Sequence, residues 1–434
     1  VVGQLRAVTG AVTLGAALLL VPTGTASAAP ARVLGYVANN GGGVSVLDTS
    51  SNAIGATLTD SGGNSPYGVG VAFDGARGYV TNVRDNTLTI IDTPTNTIDA
   101  TVQVGDGPAG VVVSPSGGFV YVSNYRAGTV SVVDAATATT TETIAVGANA
   151  DGVALTPDGK KLYVAHDVAG PGTVTVVDTT TNTVVTDIAT GNTPTAVAVT
   201  PDGRKLLVVN KFSDNVAVVD TASNAVVGTI PVSFVPHGVA ISPDGSRAYV
   251  TNSENDSVSV LDVNGLKSLG VVAVGDRPIS VALTPDGARA YVTNFTSGSV
   301  SIVDTAKLAV VGTVPVGVNP VGIAIHAVPA APTKVVAGLP SSLVLRVNGM
   351  TVRGLNATLT ESHTGRPVVG KQVTFLSVKG HPLCTAVTNS AGKAQCDATV
   401  RYLVGFSTLL RGYTAGFAGD LLHAAVSTHG FIRF

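Results

Sequence analysis

Tryptophan is absent from this 434-residue chain, methionine occurs once, cysteine twice, and only 12% of the residues carry charge. The scarcity of charge excludes one class of partner at once. Twenty-five Lys and Arg against 27 Asp and Glu leave a net charge of −2, with no basic stripe to follow a phosphate backbone, so nucleic acid is not an expected partner. Two cysteines are too few to hold a structural zinc, and no two histidines stand at finger spacing. There is no Gly-x-Ser-x-Gly elbow, phosphate loop or dinucleotide fingerprint, and Gly41–Gly43 reads as a turn. No metal and no cofactor follows from these residues.

Long apolar runs are also lacking. The one notable run, Ala11–Val21, follows the positive charge of Arg6 and precedes the small residues Ala26, Ser27 and Ala28. It is shorter than the roughly 20 residues that span a bilayer. This order of features predicts a secretory signal peptide over residues 1–29 and no transmembrane segment after its removal. Export leads to an oxidising compartment, where Cys384 and Cys396 are expected to form a disulfide.

What the chain has in plenty is glycine, 51 residues of it, together with Thr, Val and Asn. That is the vocabulary of short strands and tight turns. A repeat is plain. Tyr36-Val-Ala-Asn39, Tyr79-Val-Thr-Asn82, Tyr121-Val-Ser-Asn124, Tyr163-Val-Ala-His166, Leu207-Val-Val-Asn210, Tyr249-Val-Thr-Asn252 and Tyr291-Val-Thr-Asn294 recur at intervals of 42 to 44 residues. Each unit reads as four strands, A to D. Strand A is a segment such as Gly152–Leu155, a Pro-Asp-Gly turn leads to the Tyr-Val-Thr-Asn strand B, a Val-Ser-Val-Val-Asp strand C follows, and a Thr/Asn turn leads to D. Four-stranded units of this length predict a β-propeller. Small residues alternate with branched ones in strand A, which places it innermost, where twisted sheets converge.

The blades can be counted. The first B strand, at Tyr36, has no A strand before it, and the last A strand, Gly322–His326, has no B strand after it. Pairing the two orphans closes a ring of seven and removes two free edges. The fold class is therefore all-β: a seven-bladed propeller closed by a C-terminal strand A, followed by a further β unit.

The repeated segments resemble the YVTN family of β-propeller repeat proteins over about Arg32 to Ala327. The resemblance implies a secreted or surface-layer protein but carries no reaction with it; related seven-bladed folds host lactonases and a lyase. After a Pro/Ala-rich stretch, the segments Thr364–Phe375, Cys384 with Cys396, and Leu410–Asp420 resemble a bacterial Ig-like module, which implies a spacer or adhesive stalk. The expected organisation is a signal peptide at 1–29, the propeller at 30–328, a linker at 329–333 and an Ig-like sandwich at 334–434.

One rim of such a propeller is monotonous, built of Pro-Asp-Gly turns with Lys160, Lys161, Arg204 and Lys205. The other carries the B–C loops and D–A connections, and it varies from blade to blade. Recognition residues belong there, because loops can change without disturbing the sheets. Candidates for ligand binding are Tyr67, Asp151 and His237 ahead of strand A, and Arg84, Tyr125, Arg126, Asp167, Lys211, Phe212 and Glu254 after strand B. His166 joins them, since it stands where most blades have Asn and its B–C loop is two residues longer. Aromatics among charges would suit a glycan, a peptide or another envelope component. The residues point to a recognition or scaffold protein outside the cell, secreted or held at the cell wall or surface, and to binding rather than catalysis. Two alternatives are a propeller hydrolase or lyase with its site near His166, and a purely structural envelope protein.

Overall fold

In the computed structural model, residues 32–59, 65–329, 333–338, 342–346, 349–361, 366–377, 382–400, 413–417 and 426–430 are described. The expected signal peptide lies outside these residues. The described residues divide into two compact units, one covering 32–329 and the other starting at Thr333. Among them, no helix is long and apolar enough to cross a membrane.

The first unit is a seven-bladed propeller. Six sheets are contiguous in sequence, each an antiparallel A-B-C-D meander, beginning at Pro66, Pro108, Ala150, Pro194, Pro236 and Pro278. The seventh sheet, blade 1, pairs strand A at Pro320–Val328 with strand B at Arg32–Asn39 and continues through Val44–Asp48 and Ala53–Leu58. Tyr36 faces Ala324 and Val37 faces Ile323 across the closing ladder. The ends of the repeat region thus meet as the orphaned strands require.

Each position of the repeated motif has a job in the packing. Tyr36, Tyr79, Tyr163, Tyr249 and Tyr291 are fully buried. They belong to apolar clusters that run between neighbouring blades, so the core lies between sheets rather than on the axis; one such cluster joins Tyr163, Val176 and Ile188 of blade 4 to Leu206, Val208 and Val219 of blade 5. The hydroxyl after Tyr-Val closes the seam to the next blade. Thr81 Oγ1 donates to the Ala109 carbonyl at 2.8 Å, Thr251 Oγ1 to Ile279 at 2.9 Å and Thr293 Oγ1 to Val321 at 2.7 Å. The Asn side chain is buried and donates to strand C, as Asn82 does to Thr87 at 3.0 Å and Thr89 at 2.9 Å.

Small residues in strand A prove necessary for close approach. A Cβ on Gly68 would stand 2.2 Å from the Ala109 carbonyl oxygen, and one on Gly322 would stand 2.2 Å from that of Tyr67. The next blade's backbone leaves no room for a side chain. Strand A also begins earlier than its apolar pattern indicates, two residues before the small one, at Pro66 in blade 2, Ala150 in blade 4 and Pro236 in blade 6, with a register shift in each, as between Pro66 and Val69. Such a bulge turns the intervening side chain away from the sheet.

The second unit contains two antiparallel sheets. One has the order Thr333–Gly338, Gly349–Glu361, Ser342–Arg346, with Lys393–Val400 also paired to Gly349–Glu361; the other runs Pro382–Val387, Gln372–Ser377, Tyr413–Phe417, Val426–Gly430. Leu355, Ala357 and Leu359 of the first sheet and Val373 and Phe375 of the second are fully buried. The disulfide between Cys384 and Cys396 ties a strand of one sheet to a strand of the other.

Candidate functional site

The D–A connection of every blade ends in a residue with left-handed backbone just before strand A: Ser65, Gly107, Asn149, Thr193, Val235, Arg277 and Asn319, with φ between 53° and 66°. The carbonyl of each accepts a hydrogen bond from the first amide after strand B of the same blade. Tyr125 donates to Gly107 at 2.8 Å, Asp167 to Asn149 at 3.0 Å, Lys211 to Thr193 at 2.9 Å and Phe295 to Arg277 at 3.0 Å; Asn40, Val83 and Ser253 complete the set. This sevenfold brace fixes the variable side chains on a rigid ring. It is a regular scaffold carrying irregular chemistry.

Inside that ring lies the mouth of the axial channel, a cavity of about 260 Å³. Its upper layer is Tyr67, Ala109, Asp151, Thr195, His237, Ile279 and Val321, one from each blade. Three expected site residues, Tyr67, Asp151 and His237, therefore share one cavity. Three more, Tyr125, Asp167 and Lys211, stand close enough to act on them electrostatically. The Tyr125 hydroxyl reaches the Asp167 carbonyl at 3.5 Å, and Asn149 Nδ2 holds the same carbonyl at 2.9 Å.

The mouth perturbs its own titrations. Burial pushes Asp151 up to about 7, the neighbouring Asp167 pushes it the same way, and Lys211 opposes both. Burial also raises Asp167, again against Lys211. The Tyr67 phenol is driven far up, first by the charge of Asp151 and then by burial, and the Tyr125 phenol is raised by burial and by the same two carboxylates. On the opposite side His237 is pushed down to about 4 by burial, with Lys211 and Arg277 adding to the effect. At neutral pH the mouth thus holds a neutral imidazole and protonated phenols, with a buried carboxyl near its midpoint.

The remaining candidates do not enter the cavity. Arg84 and Glu254 are exposed on the outer rim. Arg126 forms an exposed ion pair with Asp106 at 3.3 Å. Phe212 is 59% exposed, with Lys211 Nζ 5.5 Å from its ring centre. His166 is 5% exposed inside blade 4. Its Nδ1 donates to the Ala148 carbonyl at 2.8 Å and its Nε2 lies 2.8 Å from Thr175 Oγ1, so the ring does the work that Asn does in other blades. An acid–base site centred on His166 has no free imidazole to use. Among the described residues, no three His, Cys, Asp or Glu side chains cluster to hold a metal ion.

Sequence reasoning missed Arg277. It sits at the left-handed position before Pro278, over the Phe295 ring at 5.1 Å, and its charge acts on His237. Along the chain it falls just ahead of strand A, outside the positions that line up with Tyr67, Asp151 and His237. The signal available was its alignment with Asn149 and Asn319, a position where a long cation is out of place.

Residues 119–278 match the choice-of-anchor I domain family, and residues 31–150 match the cytochrome D1 heme domain family. No curated protein matches the chain. Among solved structures, hydrazine synthase of Kuenenia stuttgartiensis is similar at 23% identity and a TM-score of 0.57, over 69% of this chain and 96% of that one. A functionally unknown protein from Desulfotomaculum acetoxidans DSM 771 is similar at 19% identity and a TM-score of 0.61, over 68% of this chain and 99% of that one. At these identities the likeness concerns the fold.

The haem named by one match can be tested against the residues present. Haem iron takes an axial His, Cys, Met or Tyr. Residues 31–150 contain no His, Cys or Met. The phenol of Tyr67 is held protonated, the opposite of what an iron ligand needs. The cavity, at about 260 Å³, falls below the roughly 300–1,000 Å³ of pockets for drug-sized ligands, and a macrocycle asks for more. These residues do not fit a haem; what the comparisons establish is a β-propeller.

Proposed function

We propose that this chain is an extracellular recognition protein, exported by its first 29 residues and secreted or held at the cell surface, that binds a ligand at the braced mouth of its propeller. Tyr67, Tyr125, Asp151, Asp167, Lys211 and His237 bind; Arg84, Arg126, Phe212 and Glu254 form an outer rim for the parts of a ligand that extend beyond the cavity. The C-terminal unit, read as an Ig-like sandwich over 334–434, serves as a spacer or second contact after a short linker at 329–333. The match of residues 119–278 to a choice-of-anchor domain supports a place at the surface.

One observation carries the reading: Tyr67, Asp151 and His237, from blades 2, 4 and 6, line one open cavity with Tyr125, Asp167 and Lys211 on the braced rim beside it, while the opposite rim repeats the same turn. At that opposite rim, Asp158, Asp202, Asp244 and Asp286 each accept a hydrogen bond from a hydroxyl two residues before them and from a backbone amide two residues after, so their polarity is spent on turns. Among the described residues the mouth has no nucleophile–base pair within hydrogen-bond reach, which favours retention over turnover.

The test is equilibrium retention of compounds from spent medium and envelope extracts of the host by the purified chain. Retention is expected to fall in the Asp151→Asn and Lys211→Met variants and to survive Arg204→Gln on the opposite rim, with the retained compound recovered unchanged. Chemical conversion of that compound, or retention indifferent to the mouth variants, overturns the reading.

A further inference from the structure

The scaffold of the mouth repeats sevenfold, but its charge does not. Blades 2 to 4 supply two phenols and two carboxylates, Tyr67, Tyr125, Asp151 and Asp167; blade 5 supplies Lys211, blade 6 supplies His237, and the connection into blade 7 supplies Arg277. Among the described residues, no ion pair forms between the two halves. Asp151 is 8% exposed and lines the cavity, yet its carboxylate accepts no hydrogen bond among the described residues. Lys211 attracts both carboxylates without forming an ion pair with either, and its Nζ lies over Phe212. Arg277 likewise stacks on Phe295 and has no carboxylate within ion-pair distance among the described residues.

A buried carboxylate without donors is costly. That cost is relieved when a ligand brings the missing partner. An ammonium group placed between Asp151 and Asp167 would gain charge-assisted hydrogen bonds, with the faces of Tyr67 and Tyr125 adding cation–π attraction. A carboxylate facing the other half would receive a hydrogen bond from Lys211, with the neutral His237 as a further donor. At about 260 Å³ the cavity admits a short frame and leaves no room to bury a chain of sugars.

We propose that the mouth is a binding site for a small zwitterion, an ammonium and a carboxylate on one short frame, as in a free α-amino acid. This rests on the reading that the mouth is the ligand site, and it names the chemistry of the ligand.

The experiment uses the full chain with four probes: L-alanine and glycine as zwitterions, propylammonium and propionate as their halves. Calorimetric titration and thermal shift should show each zwitterion binding more tightly than either half, by about tenfold or more, because each half engages only one of the two charged sides. Asp151→Asn should weaken zwitterion binding by a similar factor and leave propionate unaffected; Lys211→Met should spare propylammonium. Near-ultraviolet circular dichroism shows whether each variant keeps its fold, and Arg204→Gln serves as an unchanged control. Propylammonium binding as tightly as L-alanine would mean a simple cation site and would overturn the proposal, as would no binding of any probe. Should the probes fail while mouth-dependent retention of host compounds persists, the zwitterion falls and the recognition reading stands; should both fail, both fall.

Discussion

Replacing Asp151 with Asn removes the one ionisable group in the mouth whose burial opposes its charge most strongly. The carboxyl rises from 3.8 to about 7 in the folded chain. A rise of that size corresponds to about 4 kcal/mol of preference for the protonated form. Because the folded value is raised, the stability tied to this group is intact below pH 3.8. It declines as the pH climbs to about 7 and stays lost above that. An amide does not titrate. The Asp151→Asn variant should therefore gain on the parent by about 4 kcal/mol between pH 3.5 and pH 8, with most of the change complete by pH 7. Urea unfolding followed by tyrosine fluorescence measures this, since only Tyr402 and Tyr413 of the ten tyrosines lie outside residues 32–329. A difference between the two proteins that stays flat with pH would refute the reasoning, for it would mean that the carboxylate ionises as readily in the mouth as in water.

Three further outcomes follow from the scaffold. Gly322→Ala would press a Cβ to 2.2 Å from the Tyr67 carbonyl oxygen at the seam beside the ring closure; thermal unfolding should show a loss of about 1–3 kcal/mol, whereas Gly35→Ala, whose nearest contact is an Ile325 side-chain carbon at 3.4 Å, should be tolerated. Val235 is β-branched yet left-handed at φ 53°, where other blades place Asn149 and Asn319; Val235→Asn should stabilise the propeller by about 1 kcal/mol, and an unchanged urea midpoint would show that no strain resides there. Changing Cys384 and Cys396 together to Ser should destabilise the C-terminal unit by about 3 kcal/mol, given its sequence separation of 12, while the propeller transition holds its midpoint in calorimetry.

The seven blades, the closing strand and the rim that varies from blade to blade were legible because each is a matter of period. A repeat of 42 to 44 residues with four apolar stretches leaves one way to bury both faces of every sheet, and orphaned strands at the two ends leave one way to close it. The packing roles inside the repeat were less legible. Thr81, Thr251 and Thr293 look like ordinary strand residues until the next blade's carbonyl stands 2.7 to 2.9 Å away. His166 misled for a related reason. A departure from a repeat is a departure whether it serves chemistry or merely substitutes one buried donor for another, and composition does not tell the two apart.

By itself the sequence determined how many sheets there are, which strand lies innermost and which loops are free to vary, because these follow from alternation, turn chemistry and counting along the chain. The tertiary structure alone decided which of the variable residues meet. Tyr67, Asp151 and His237 are 84 and 86 residues apart in succession and share a cavity only because the ring returns each blade's inner strand to one axis. The same convergence withdraws Asp151 from water, half-buries His237, and brings both within reach of the charge of Lys211. Desolvation and Coulomb forces act through space rather than along the chain, so the character of the mouth emerges only once the ring has closed.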